Sequence, residues 1–350
     1  MPALIADLAL QLPSSIAALA EEASVEIARF DAELGTEAAV FGPALLQVES
    51  MASSRIEGIS ADAKAIALAG LGSTANDDAR EMVRNIAALR AALESADDAD
   101  GILGVQAALF GDLHPDVAGR WREEQVWIGG MSSGPHEATF VPPHHDHVPA
   151  LMDDLVAFVR RTDLPLLAQV AIAHAQFETI HPFTDGNGRT GRVLIHTMLR
   201  RRGLASSITL PISAGLLIDK KAYFETLTAY RKGDPSAIVE CLANASFEAM
   251  TNGRQLIAAL RGIRRDWDDK IKARRGAAAW RVADLLLRRP VINAATVAEE
   301  LGVEPRNAQR AIAPLAKAGV VNELTGSKRN RMWQVPEVLA VFDRFAARRT

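Results

Sequence analysis

Residues 177–196 read FETIHPFTDGNGRTGRVLIH. Between His181 and Arg192 the chain packs a histidine, an aspartate, three glycines, an asparagine and two arginines into twelve positions. Glycine is costly inside regular structure, and neighbouring arginines repel unless an anion lies beside them. The preceding stretch, LPLLAQVAIAHAQFETI, spaces Leu167, Val170, Ala171, His174 and Phe177 three or four apart, as on one face of an amphipathic helix. The following stretch, RTGRVLIHTMLRRRG, continues as a second helix. Arg200, Arg201 and Arg202 suit the negative end of its dipole, and Gly203 suits the position just past it.

HPFTDGNG is therefore a connection running into a helix N-terminus, where free backbone N–H groups point outward. Gly186, Asn187 and Gly188 let that backbone approach an anion closely, and Arg189 and Arg192 lie one turn apart beside it. Together they suit the β and γ phosphates of a nucleotide, with Asp185 as a hard oxygen ligand for Mg²⁺. No G-x-x-x-x-G-K-[ST] phosphate loop is present. His181 adds what phosphate binding alone does not need: a neutral imidazole that takes a proton from an incoming hydroxyl, worth roughly 10²–10⁴ in rate. Phe183 is expected to turn inward and anchor the loop, and His174 to be a hydrogen-bonded core residue.

HPFTDGNGRTGR resembles the signature of the Fic domain, His-x-Phe-x-Asp-Gly-Asn-Gly-Arg-x-x-Arg, at every defined position. The resemblance implies a mainly α fold: a helical bundle with a β-hairpin flap. It also implies transfer of AMP from ATP to a hydroxyl side chain of a target protein. Carried onto this chain, His181 is the general base and Asp185 the Mg²⁺ ligand. Gly186, Asn187 and Gly188 form the anion hole, Arg189 binds the β and γ phosphates, and Arg192 binds the γ phosphate.

Two further segments extend the likeness. GRWREEQVWIGG and ATFVPP, between Gly119 and Pro143, frame two β-prone runs, Val126–Ile128 and Ala138–Val141. They are similar to the family's flap, on which a target segment docks by strand addition across 126–141. The adjoining His144, His145 and His147 lack a clear fourth ligand and read as a polar loop. Upstream, SSRIEG at 53–58 has two readings. Ser54 and Glu57 form a capping box that opens a helix. In the other reading a helix ends at Gly58, with Ser53 and Glu57 four apart on one face. The latter resembles the family's inhibitory motif, in which the glutamate pairs with the motif's last arginine, here Arg192. Beyond the motif, Tyr223 and Tyr230 share a helical face and either line an adenine pocket or pack into the core.

The 350 residues are 49% hydrophobic and 23% charged, as in an ordinary globular protein, and suffice for two or three cores. One cysteine, Cys241, excludes an internal disulfide and a cysteine-built zinc site. The first residues lack the pattern of a signal peptide, and no uninterrupted apolar run spans a bilayer, so a cytoplasmic location is expected. The net charge of −4 divides unevenly: residues 274–350 carry +7 and the rest −11.

That basic end holds three helical patterns and two β-prone runs around a basic turn, the order of a winged helix. Arg306, Asn307, Gln309 and Arg310 near the third helix start, and Lys328, Arg329 and Arg331 in the turn, suit bases and phosphates. A role in protein contact or homodimer formation is the alternative. The expected divisions are an N-terminal helical region with the inhibitory helix (1–98), a catalytic core (99–252), a helical linker (253–278) and the winged helix (279–350). Two other functions stay open. One is transfer of another nucleotide or phosphate moiety, or removal of AMP, on the same fold. The other is a DNA-binding regulator that only senses ATP.

Overall fold

The structure is a computed structural model that describes all residues except 95–98, 112–114, 130–134, 326–329 and 347–350. Helices α1 (Ser14–Leu34), α2 (Ala38–Ile56), α3 (Ala63–Ala69), α4 (Asp77–Ala92) and α5 (Ala99–Phe110) come first. The HPFTDGNGRTGR motif lies between α7 (Leu166–Ile180) and α8 (Asn187–Arg201), with α6 (Val148–Val159) before them. Then follow α9 (Ile212–Ile218), α10 (Lys220–Arg231) and α11 (Ser236–Lys270). The C-terminal unit runs α12 (Ala278–Leu286), β1 (Val291–Asn293), α13 (Ala294–Leu301), α14 (Pro305–Lys317), β2 (Asn322–Glu323), β3 (Met332–Gln334) and α15 (Pro336–Ala346).

The expected amphipathic helix before the motif is instead the axis of the bundle. Every residue of α7 from Leu167 to Ile180 is buried, with α1, α6, α8, α10 and α11 packed around it. A one-face pattern understates such a helix because its other faces carry alanines, which bury against neighbours as readily as leucine does. Its polar residues are consumed internally: Gln169 donates to the Phe158 carbonyl at 2.8 Å and Gln176 to the Ala3 carbonyl at 2.8 Å.

Of the two readings of 53–58, the capping box does not form. Ser54 lies inside α2, where its hydroxyl accepts from the Asn85 amide at 3.0 Å, and α2 ends with Glu57 as its cap and Gly58 at φ 86°. Among the described residues the hairpin shows one antiparallel bridge, Ile128 with Phe140; residues 130–134 lie outside them. The stretch 253–278, expected as a helical linker, is helical as far as Lys270. Helix α11 crosses residue 253 without a break, and Leu256, Ile257, Leu260 and Trp267 are buried. A Cβ on Gly253 would stand 2.9 Å from the Phe30 ring, so α1 crosses α11 there at close range.

In the C-terminal unit the three short strands form one antiparallel sheet in the order β1-β3-β2, with Ile292 opposite Trp333, beside α12, α13 and α14. This is the expected winged-helix order with β1 added. Helix α15 was not expected, and it leaves the unit to pack on α2, α3 and α11. There Asp343 accepts from the Ala63 N–H at 2.7 Å, and Glu337 accepts from the Trp267 indole at 2.6 Å. Among the described residues no helix is long and apolar enough to cross a membrane.

Candidate active site

The loop between α7 and α8 is held rigid by its own residues. His181 ends α7 in the left-handed region, φ 51°, a conformation that costs a non-glycine residue about 1–2 kcal/mol. Arg122 offsets that strain by donating from Nε to the His181 carbonyl at 2.9 Å, while its backbone N–H donates to the Pro182 carbonyl at 2.9 Å. Phe183 is fully buried against Trp121 and Phe177, as expected. Asn187 closes the loop as a ring: its Oδ1 accepts from the Phe183 N–H at 2.9 Å and its Nδ2 donates to the Phe183 carbonyl at 2.8 Å. Only its backbone is left for an anion. Gly186 stands at φ 81°, where a Cβ would come 2.7 Å from the Phe110 ring.

At the mouth of α8 lies the Glu57 carboxylate, so close to Gly188 that any Cβ there would collide with it. Arg192, 1% exposed, donates from Nη2 to Glu57 Oε1 at 2.8 Å and to the Ser53 carbonyl at 2.9 Å, and from Nε to the Ser53 hydroxyl at 2.9 Å. Burial pushes the Glu57 carboxyl up, but Arg192, helped by Arg189 and Lys220, outweighs it and holds the group below the usual range. Arg189 is buried as well. Its Nη1 lies 2.6 Å from Glu81 Oε1 of α4, and its guanidinium stands 5.8 Å from the centre of the Phe110 ring. Both motif arginines thus face carboxylates of the chain itself.

His181 is pushed down to about 4 by burial and by the nearby Arg231 and Arg122, so its imidazole is neutral near pH 7. Arg231, from the end of α10, lays its guanidinium 3.7 Å from the centre of the Phe140 ring on the flap. Asp185 is exposed at the loop's tip, with Oδ1 accepting from the Gly186 N–H at 2.6 Å. A fixed, exposed carboxylate beside a phosphate-sized helix mouth fits Mg²⁺, which takes one or two carboxylates and fills its shell with phosphate oxygens and water.

Tyr223 lies in the core and Tyr230 is half-buried against it. Tyr223 is 1% exposed and its hydroxyl lies 2.7 Å from His174 Nε2. His174 Nδ1 lies 3.0 Å from the Gly191 carbonyl, which can only accept, so Nδ1 carries the proton and Nε2 accepts from Tyr223. Tyr230 donates to Gln176 Oε1 at 2.8 Å. His144, His145 and Asp146 form a turn before α6, with Asp146 oxygens 3.2 and 3.4 Å from the two rings.

Three residues of the site escape the sequence. Arg122, Arg231 and Glu81 lie on segments far along the chain from the motif. In the C-terminal unit Arg306, Asn307, Gln309 and Arg310 are all exposed along the first turns of α14. Arg331 is engaged by Glu323, while Lys328 and Arg329 lie outside the described residues.

Comparison with known proteins places this geometry. Residues 97–199 match the Fic/DOC family, and residues 280–335 match an HTH DNA binding domain. Protein adenylyltransferase fic-1 of Caenorhabditis elegans is 30% identical over 150 residues, 42% of this chain and 27% of that protein. Protein adenylyltransferase Fic of Nematostella vectensis is 29% identical over 150 residues, 42% of this chain and 32% of that protein. The match thus spans about a third or less of these relatives. A Fic family protein from Desulfovibrio desulfuricans G20 shares the fold across 93% of this chain and 97% of its own, with a TM-score of 0.60 at 21% identity. Fic-1 of C. elegans does so across 70% and 74%, with a TM-score of 0.55 at 20% identity.

Proposed function

We propose, from the match of residues 97–199 to the Fic/DOC family, that this protein is an autoinhibited adenylyltransferase that moves AMP from ATP onto a hydroxyl side chain of a target protein. One observation carries the reading: the Glu57 carboxylate, held by Arg192, fills the mouth of α8, within reach of the His181 loop. An internal anion rests where a polyphosphate fits, and a neutral base stands at the edge of the same loop.

In the proposed reaction the target hydroxyl gives its proton to His181 Nε2 as its oxygen bonds to the α phosphorus. The bond from phosphorus to the departing pyrophosphate breaks. Charge builds on the pyrophosphate, and the α8 N-terminus with Arg189 and Arg192 stabilises it. Asp185 would hold Mg²⁺, which would supply positive charge to the phosphate oxygens. The flap around Phe140 aligns the target segment. ATP and proteins bearing hydroxyl side chains meet in the cytoplasm, the compartment this reaction fits.

Magnitude decides how the brake acts. A hundredfold block needs about 2.7 kcal/mol, whereas an exposed ion pair is worth only about 0–1 kcal/mol. Here the arginine is buried and makes three hydrogen bonds to α2, and bonds to a charged group contribute about 1.5–3 kcal/mol each. Repulsion between the Glu57 carboxylate and the γ phosphate adds to the contact energy.

The test is the Glu57→Gly chain incubated with ATP, Mg²⁺ and cell lysate, read by intact mass. The expected result is an added AMP on a protein of the mixture or on the chain itself, absent from the His181→Ala control and weaker in the unaltered chain. Phosphate-sized additions, or none in a chain that binds ATP, overturn the reading. The C-terminal unit supports duplex DNA as a second partner through the exposed face of α14.

A further inference from the structure

We infer that Glu178 is the positioning residue of the catalytic imidazole, its carboxylate facing His181 Nδ1 and opposing the charge the ring gains when Nε2 takes the target's proton. This deepens the reaction proposed above and rests on it. Glu178 lies on the last turn of α7, 6% exposed, with Oε2 3.9 Å from His181 Nδ1. Its other oxygen, Oε1, and the Nδ1 atom are both buried without a hydrogen-bond partner among the described residues.

Oε2 and Nδ1 face each other with room for a shared proton, while Oε1 is turned toward Gly191. Closing the gap to hydrogen-bond length takes only about 1 Å. The Glu178 carbonyl also favours the protonated ring, and His174 is taken by Gly191 and Tyr223. Helix α8 leaves room for the carboxyl, since a Cβ on Gly191 would stand 2.7 Å from Glu178 Oε1.

A base whose second nitrogen is held by a carboxylate keeps the right tautomer and orientation, and its protonated form is stabilised. The charged and titratable groups around Glu178 are Arg192 of α8, Arg231 and Tyr223 of α10, Glu57 of α2 and His174 of α7, with Arg122 acting on His181. Burial is the largest influence and raises the Glu178 carboxyl to about 7, against the pull of Arg192. Near neutral pH His181 is free to accept while Glu178 passes from acid to carboxylate. Only the carboxylate opposes the imidazolium, so transfer rises with pH through about 7.

The experiment uses the full chain carrying Glu57→Gly and measures AMP transfer against pH, with and without Glu178→Gln. The expected result is a loss of about 10² in kcat at an unchanged KM for ATP, with the rise near pH 7 abolished. Glu178→Asp, which keeps the charge at a greater distance, restores part of the rate. In parallel, ¹⁵N NMR of the His181 ring follows its tautomer and titration without reference to activity. Glu178→Gln is expected to move the ring's titration to lower pH. Identical pH profiles, or a ring that titrates identically in both chains, overturn the inference. Loss of transfer from every variant with the NMR linkage intact overturns the proposed reaction and leaves the pairing of ring and carboxylate standing. Should Glu178→Gln fail to fold, the Asp variant alone decides: an unshifted profile and ring titration overturn the inference.

Discussion

Arg189 and Arg192 are met by carboxylates from two different helices, Glu81 of α4 and Glu57 of α2. In the proposed reaction both arginines bind the same polyphosphate, so each carboxylate competes with it. Replacing Glu81 by Gln in the Glu57→Gly background is expected to tighten ATP about tenfold, a change of about 1.4 kcal/mol measured by calorimetry. Unchanged or weaker binding would mean that Glu81 orients Arg189 for the nucleotide. Asp185→Ala is expected to lose transfer by at least about 10² and its dependence on added Mg²⁺, checked by titrating the metal against rate. The motif residues were legible because glycine, asparagine and arginine at fixed spacing answer a local demand of an anion at a helix end. Glu81 and Arg122 were not, because their partners are set by how distant helices pack. Tyr223 and Tyr230 show the limit from the other side: a shared helical face does not say what that face meets.

The element proposed as the brake is α2, and three neighbours hold its end. Asn85 of α4 reaches Ser54, Arg192 of α8 grips Ser53 and Glu57, and Asp343 of α15 caps the start of α3 just beyond. Glu49, also on α2, is buried and accepts from the Ser213 N–H at 2.7 Å with His196 Nε2 2.8 Å away. Asp343→Ala removes one cap, a loss of about 1 kcal/mol. It is expected to raise basal AMP transfer severalfold and to speed amide exchange at the end of α2. Exchange that is faster only in α15 would show that the cap serves α15 alone. Local patterning could propose a helix ending near Gly58, since Ser53 and Glu57 four apart fit one face. It could not predict α7 as a wholly buried axis, because alanine reads as neutral in an amphipathic pattern and yet lets helices approach on every side.

At the scale of the molecule, the basic unit foreseen from its charge and helix order is present, and the exposed residues of α14 are the ones the order suggested. Arg306→Ala with Arg310→Ala is expected to weaken duplex binding and to reduce its dependence on salt by about two counterions. Binding that is salt-independent, or unmoved by the pair, would assign the unit to protein contact. The docking of α15 on α2 and α3 was not foreseeable, since nothing in its sequence names a partner outside its own unit.

Helix α11, with 35 residues, is a rod of about 50 Å. Both halves of the molecule are built onto it, Phe30 and α1 at one stretch and Trp267 with α15 at another. A push on one end is therefore delivered as displacement at the other, where a slack tether would absorb it. Exchanging the C-terminal unit for a foreign one, or parting the two with a protease, must cut through packed core.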